Sequence, residues 1–448
     1  MPALRHVVTR RLSNHLRAPL LRNAYALMSS TALSSGIGLV YWLLAARLLS
    51  PRTVGLGSAT ISGMTFLAGV ASLGLTFVIL RFLPVAGWSS RRLLLICYAA
   101  TAGTAVVAAA VFIGGLSIWT PALQYLRAGI VPAALFVLTT AIWNVFRLQD
   151  DALAALRRSV WIPVENAAYA LLKVLFLVVF AVLSPTYTIL VSWAIPAAAG
   201  LIPINFMLFR RFIPAHIADS PPDAMPLRLR PILSFLTGTY AGSVFYLAWV
   251  GLLPVIVTQD LGARANAFFY PPWIITTSLA AFATSMQISL LVEGARDEAR
   301  LEAYTRRALL ASARILVPVV VVLLPAAPLV LFFFGHAYMQ HGSDTLRLLA
   351  LGLLPNAVVS IYMAGCQVLN RVLIIALLPA AECALVLTLS VALLPRAGTT
   401  GVGLAWMLTE ATLAAGILLG PLRHLWWPHV PGSSGKDSNR PASASPNF

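Results

Sequence analysis

The sequence predicts an all-α polytopic membrane protein of about twelve transmembrane helices in two six-helix bundles. Composition is the first reason. Of 448 residues, 59% are hydrophobic and only 10% charged, and the mean hydropathy is +0.86. Soluble domains are roughly 45–50% apolar and about 25% charged, and a soluble fold needs a polar exterior that this chain cannot supply. The second reason is length. Twelve apolar runs each suffice to cross roughly 30 Å of hydrocarbon, which takes about 20 helical residues. The third is arrangement, because six runs stand on each side of a proline-rich, charged segment.

The first run, 23–46, follows a basic arm at 1–22. It is too long for the apolar core of a signal peptide, so it reads as a retained span. Runs at 54–80, 93–116, 129–147, 160–183 and 187–209 complete an N-terminal bundle over 23–210. Residues 211–230 hold Pro214, Pro221, Pro222 and Pro226 among charges and read as a cytoplasmic linker. The C-terminal bundle, 231–423, takes runs at 231–257, 267–291, 309–334, 347–368, 372–394 and 399–422. Between the eighth and ninth runs, residues 293–307 alternate acids and arginines and are expected to form a surface amphipathic helix. The stretch 424–448, rich in Pro, Ser, Gly and Asn, reads as a disordered cytoplasmic tail.

Net charge is +17. With the N-terminus inside, cytoplasmic segments collect 23 of the 31 cations and outside segments 6. That asymmetry places both termini in the cytoplasm, as for a multi-pass protein of a plasma membrane. The cations flank apolar runs and form no basic-aromatic domain, which argues against a nucleic-acid partner. Cys97, Cys366 and Cys383 fall inside apolar runs without metal-ligand spacing and read as small buried hydrophobes. No cofactor or metal is expected.

The halves carry a short echo. Leu49-Ser50-Pro51-Arg52 follows the first run and Leu261-Gly262-Ala263-Arg264 the seventh, at an offset of 212 residues. Six spans per half make two such copies parallel, related by an axis along the membrane normal. The opening RNAYALMSSTALSSGIGLVYWLLAARLLSPRTVGLGSATISG then resembles a known family. So do the turn formed by Arg47, Leu48, Leu49, Pro51 and Gly55, the pair Gly74-Leu75, and the closing Arg81-Phe82-Leu83-Pro84. The resemblance, over about residues 22–84, is to the polysaccharide or O-antigen-type oligosaccharide flippases of the multidrug/oligosaccharidyl-lipid/polysaccharide (MOP) exporter superfamily. The one departure in the last motif is Phe82 in place of Tyr. The resemblance implies a MATE-like, V-shaped fold in a bacterial plasma membrane. It also implies the transfer of a polyprenyl-pyrophosphate-linked oligosaccharide from the inner to the outer leaflet, in surface polysaccharide and lipopolysaccharide biosynthesis. The partners it implies are that lipid-linked glycan, the bilayer, and a polysaccharide polymerase or glycosyltransferases.

Charges inside spans are costly and usually face a bundle interior. Lys173 stands in the middle of the fifth run, and Trp161, Glu165, Tyr169 and Lys173 recur every four residues along one helix stripe. Lys173 reads either as a cleft cation for a pyrophosphate headgroup or as half of a structural ion pair. The stripe would suit a sugar-facing wall. Glu382 and Glu410, central in the last two runs, read either as a proton- or cation-coupling site or as a clamp between helices. Arg47, Arg52 and Arg264 mark outside turns and Arg81 the inner end of the second run. Their guanidinium groups fit phosphate bidentately at the cleft mouths, or anchor the helices at the interface.

An enzyme is not expected. A membrane glycosyltransferase needs outside carboxylates, and only Asp260 and Asp344 lie in outside turns. The first inner turn, RFLPVAGWSSRR, lacks the Gly-x-x-x-Asp-Arg pattern of major-facilitator transporters. A MATE-like drug or ion exporter is the alternative to a flippase.

Overall fold

The computed structural model describes residues 35–218 and 229–422. The basic arm, the C-terminal tail and the middle of the linker lie outside the described residues, which hold only helical regular structure. In the first half, α1 covers Ser35–Leu48, α2 Pro51–Ala71, α3 Ser90–Gly114, α4 Ile130–Ala155, α5 Trp161–Leu183 and α6 Thr188–Met207. In the second, α7 covers Leu229–Leu261, α8 Ala263–Arg296, α9 Leu301–Phe332, α10 His336–Val368 and α11 Val372–Leu419.

Among the described residues, ten helices are long and apolar enough to cross a membrane. Reading α11 as two spans gives eleven, and α1 is the described part of the first expected run, whose residues 23–34 lie outside the described residues. Gly398, at φ 58° and ψ −144°, breaks α11. Beyond the break the chain folds back, because a Cβ built on Gly401 would lie 2.7 Å from the Leu393 carbonyl oxygen. A straight helix would separate residues eight apart by about 12 Å. The two arms of α11 are thus the eleventh and twelfth spans.

Three expectations change. The second run is not one helix: Ser72, Leu73 (φ 50°) and Gly74 (φ 70°) interrupt it before a short helix at Leu75–Phe82. Glycine accepts that left-handed backbone without penalty, whereas Leu73 is strained there. Residues 293–307 form no separate surface helix. Instead α8 runs through Arg296, a turn carries the Asp297–Arg300 ion pair at 3.2 Å, and α9 begins at Leu301. The linker is partly helical, since α6 continues through a π-helical turn at Leu208–Phe212 into Ile213–Ala218.

The repeat extends far beyond its four-residue echo. Pro51 opens α2 and Ala263 opens α8, at the 212-residue offset. Ser90 and Leu301 open α3 and α9, and Trp161 and Val372 open α5 and α11. Local chemistry fixes the first of these starts: Ser50 accepts the Thr53 amide at 3.2 Å and Pro51 occupies the first helical position. Across the bundles α2 packs on α7, where glycine lets the helices close. A Cβ on Gly69 would stand 2.6 Å from the Leu247 side chain, and one on Gly251 2.6 Å from that of Phe66.

Candidate functional site

Between the bundles lies a cavity of about 740 Å³. Its N-terminal wall comes from the end of α2 and the short helix (Ser72, Thr76) and from α4 (Asn144, Arg147). Its C-terminal wall comes from α7 (Tyr246, Trp249), α8 (Thr284, Gln287), α10 (Asn356, Gln367) and Glu382. Hydroxyl and amide groups dominate the polar lining. Arg147 on one wall and Glu382 on the other are its two charged side chains among the described residues. Arg147, Gln287 and Gln367 stand toward the ends of α4, α8 and α10, so the cavity lies toward that end of the bundles.

The opposite end of the bundles is closed. The Asn266 side-chain amide donates to the Gly55 carbonyl at 2.9 Å and to Ser58 Oγ at 3.0 Å. Arg47 reaches from α1 to the end of α9, with Nε 2.8 Å from the Phe333 carbonyl and Nη2 3.1 Å from that of Phe332. Gln259, which follows Arg47 by the repeat offset of 212, makes the reverse crossing. Its Oε1 accepts the Ala122 amide at 3.2 Å. The two bundles therefore clasp each other reciprocally at that end. Arg52 and Arg264 occupy equivalent positions in the first turns of α2 and α8, both exposed. Arg81 is exposed at the inner end of the second span, with its guanidinium 5.8 Å from the Phe82 ring.

The predicted stripe on α5 is real, but it does not face the cavity. Glu165, Tyr169, Lys173 and Leu177 are the buried residues of α5, at four-residue spacing, and all point into the N-terminal bundle. Trp161, 37% exposed at the helix start, is not part of that interior. Lys173 is 7% exposed. Its ammonium lies 4.5 Å from the Trp193 ring centre, 4.6 Å from Tyr41 and 5.3 Å from Tyr169. The expected alternatives for Lys173 were a cleft cation or an ion pair. Neither carboxylate pairing nor a place in the cavity lining is found among the described residues, and an aromatic box holds the charge instead. Cation–π contact is worth up to about 2 kcal/mol or more once desolvated, which makes the box a workable host for a buried ammonium. Glu165, 5% exposed, accepts the Gln149 side-chain amide, and Gln149 Oε1 accepts Asn205 Nδ2 at 3.0 Å.

Glu382 and Glu410 come together although 28 positions apart, because α11 folds back. Glu410 is fully buried and accepts Asn356 Nδ2 at 3.1 Å, while Glu382 opens onto the cavity. Arg147 is the functional candidate that sequence reasoning passed over. The fourth run ends there by hydropathy, so Arg147 read as a flank, yet α4 continues for two more turns to Ala155. Asn144, Arg147 and Asp151 at i, i+3 and i+7 mark one polar helix face, which was the available signal.

No family model matches the sequence, and no curated protein matches it. Solved structures do. A multidrug-resistance MATE family transporter of the MOP superfamily, in an inward-facing conformation, is 15% identical with a TM-score of 0.65, covering 90% of this chain and 98% of that one. A MOP superfamily transporter from Pyrococcus furiosus, described for the reverse polarity of its binding pocket, is 14% identical at a TM-score of 0.63, covering 91% and 96%. The Vibrio cholerae MATE transporter VcmN is 12% identical at 0.60, covering 91% and 96%. With two helical bundles closed at one end around a cavity that lies toward the other, the chain has the fold of the MATE transporters of the MOP superfamily.

Proposed function

We propose that this chain is a flippase. It moves a polyprenyl-pyrophosphate-linked oligosaccharide from the inner to the outer leaflet of a bacterial plasma membrane, for surface polysaccharide biosynthesis. The observation that carries the reading is the lining of the cavity. Amides and hydroxyls from five helices match the hydrogen-bonding needs of a glycan, and the Arg147 guanidinium on the N-terminal wall suits a pyrophosphate. Lys173 adds positive potential behind that wall. Its stripe neighbours Glu165, Tyr169 and Trp161, and the outer and inner arginines Arg47, Arg52, Arg81 and Arg264, belong to the path at other stages of the cycle. The bilayer and the lipid-linked glycan are its partners, with a polymerase or glycosyltransferases downstream, and both termini face the cytoplasm.

The test is the leaflet accessibility of lipid-linked glycan in sealed vesicles. Deletion of the protein is expected to trap glycan on the inner leaflet. Arg147→Ala is expected to slow flipping roughly ten- to a hundredfold, the worth of about 1.5–3 kcal/mol for a charge-assisted contact. Unchanged glycan distribution on deletion would overturn the proposal.

A second reading, a MATE-like drug or ion exporter, is favoured by one specific feature. Tyr246, Trp249, Trp406 and Phe77 bring aromatic faces to the same cavity as Glu382, an arrangement suited to an organic cation. Efflux of a cationic dye that competes with no glycan would support it. In both readings Glu382 and Glu410 are the proposed coupling groups. Glu410→Gln is expected to remove the dependence of transport on a proton or cation gradient while leaving the folded protein intact. Gradient dependence equal to that of the native chain would leave the pair as a structural clamp.

A further inference from the structure

The two walls of the cavity carry opposite charges, and neither charge is paired within the protein. Arg147, exposed on α4, takes part in no ion pair among the described residues. The carboxylates in its electrostatic range are held by neutral donors: Asn166 donates to Asp150 Oδ2 at 3.1 Å, and Thr76 donates to Asp151. Glu382, 7% exposed, faces the same space from α11. It is hydrogen-bonded to Glu410, and two carboxyl groups in such contact hold one proton between them. The pair therefore keeps one negative charge. The lining brings no lysine, histidine or second arginine to it.

The two charges stand at similar depth. Arg147 is eight residues from the end of α4 at Ala155, about 12 Å, and Glu382 ten residues from the start of α11 at Val372, about 15 Å. A single cargo can meet both. Their surroundings differ. Thr76 and Asn144 accompany Arg147, whereas the lining beside Glu382 turns aromatic. The Tyr246 and Trp249 ring centres are 5.6 Å apart there, and those of Trp249 and Trp406 6.4 Å. Tyr246 lies within electrostatic range of both Glu382 and Glu410. Aromatic faces attract an organic ammonium. A bare metal ion needs a shell of oxygens instead, and among the described residues no group of three or more His, Cys, Asp or Glu is placed to hold one.

We infer that the cargo is zwitterionic: a lipid-linked glycan bearing a free, protonated amino sugar, with its pyrophosphate on Arg147 and its ammonium on Glu382 beside the aromatic faces. The inference rests on the flippase reading and adds to it the chemical class of the sugar. An N-acetylated sugar brings no charge to Glu382 and leaves the carboxylate buried and unpaired, a penalty larger than the worth of an ordinary hydrogen bond. The free amine removes that penalty, so the cavity discriminates between two glycans of nearly the same shape.

The test uses the full chain reconstituted in phosphatidylcholine vesicles and two polyprenyl-pyrophosphate disaccharides. They differ in one sugar amine, free in the first and N-acetylated in the second. Leaflet accessibility is followed at slightly acidic pH, where the amine is protonated. The free-amine glycan is expected to flip about tenfold faster. Glu382→Gln is expected to erase the difference between the two, whereas Arg147→Ala slows both alike. Equal rates on the native chain overturn the amino-sugar assignment and leave the flippase reading standing. If neither glycan flips, the flippase reading falls and this inference with it. A preference for the free amine that survives Glu382→Gln also overturns the assignment. The comparison of the two glycans on the native chain decides the matter even where a variant does not fold.

Discussion

Gly55→Val is expected to hold the protein open on its outer side and to reduce transport at least tenfold. A Cβ at position 55 would overlap the Ala263 carbonyl oxygen, and would stand 2.6 Å from that carbonyl carbon and 3.1 Å from the Ala267 amide nitrogen. All three are backbone atoms, so no rotamer change relieves the clash. Overpacking typically costs about 1–3 kcal/mol, and here the whole cost falls on the closed outer seam, because separation of α2 from α8 removes it. A shift of 1.4 kcal/mol is tenfold in a two-state population. Ser58, fully buried in that seam, supplies the readout. A cysteine there should react with a membrane-impermeant maleimide from outside far faster in the Gly55→Val background. Gly103→Val is the control, since nothing lies within 4 Å of a Cβ at position 103. Equal labelling in both backgrounds would show that the seam tolerates the side chain and is not the outer gate.

The seam has the form of a gate because reciprocal polar contacts close it beside buried aromatic packing of Trp42 on Tyr270. Gly55 and Ala267 stand at the repeat offset of 212 residues and touch each other across the bundle interface. The symmetry axis therefore passes between them. Arg47 and Gln259, also at that offset, each cross to a backbone group of the opposite bundle. A pair of clasps so related can let go of both sides in one rigid-body motion, which also parts the buried Trp42 and Tyr270 rings, 4.5 Å apart across the interface. Toward the cavity end, α2 meets α7 through Leu247 and the Tyr240 hydroxyl, which donates to the Val70 carbonyl.

Much of this architecture is legible in the sequence, for physical reasons that also set its limits. Hydropathy finds the spans because burial in lipid leaves an apolar run wherever a helix faces the bilayer. It fails where a helix face is shielded by protein. The outer end of α10, from His336 to Leu346, is polar enough to read as a turn, yet it is helical and carries the Asp344–Arg347 ion pair at 2.8 Å. Arg147 is missed for the same reason at the inner end of α4. The break at Leu73–Gly74 is hidden because Leu73 looks like any apolar span residue, and only its φ of 50° sets it apart. The α5 stripe is visible from its period of four, but a period gives a face and not a neighbour. Whether Lys173 meets the cavity or Trp193 depends on how α5 packs against α1 and α6, which no local pattern encodes.

Lys173 is where the largest loss of stability is expected. The box presents three aromatic faces, whose negative quadrupoles attract a cation and repel an anion. Lys173→Glu therefore buries a carboxylate with no counter-ion against rings that disfavour it, at a cost of about 3–5 kcal/mol. That is a large part of the roughly 5–15 kcal/mol that keeps a protein folded, so the variant is expected to lose most folded protein in detergent. Lys173→Met keeps the unbranched shape and gives up only the charge. It is expected to fold, with a modestly lowered Tm, and to flip lipid-linked glycan several-fold more slowly as the positive potential behind the Arg147 wall disappears. Thermal unfolding together with the vesicle accessibility measurement separates packing from function. If Lys173→Met folds and flips glycan at the native rate, the ammonium serves only to fill the box. If Lys173→Glu unfolds no more readily than Lys173→Met, the rings do not enclose the charge as the geometry requires.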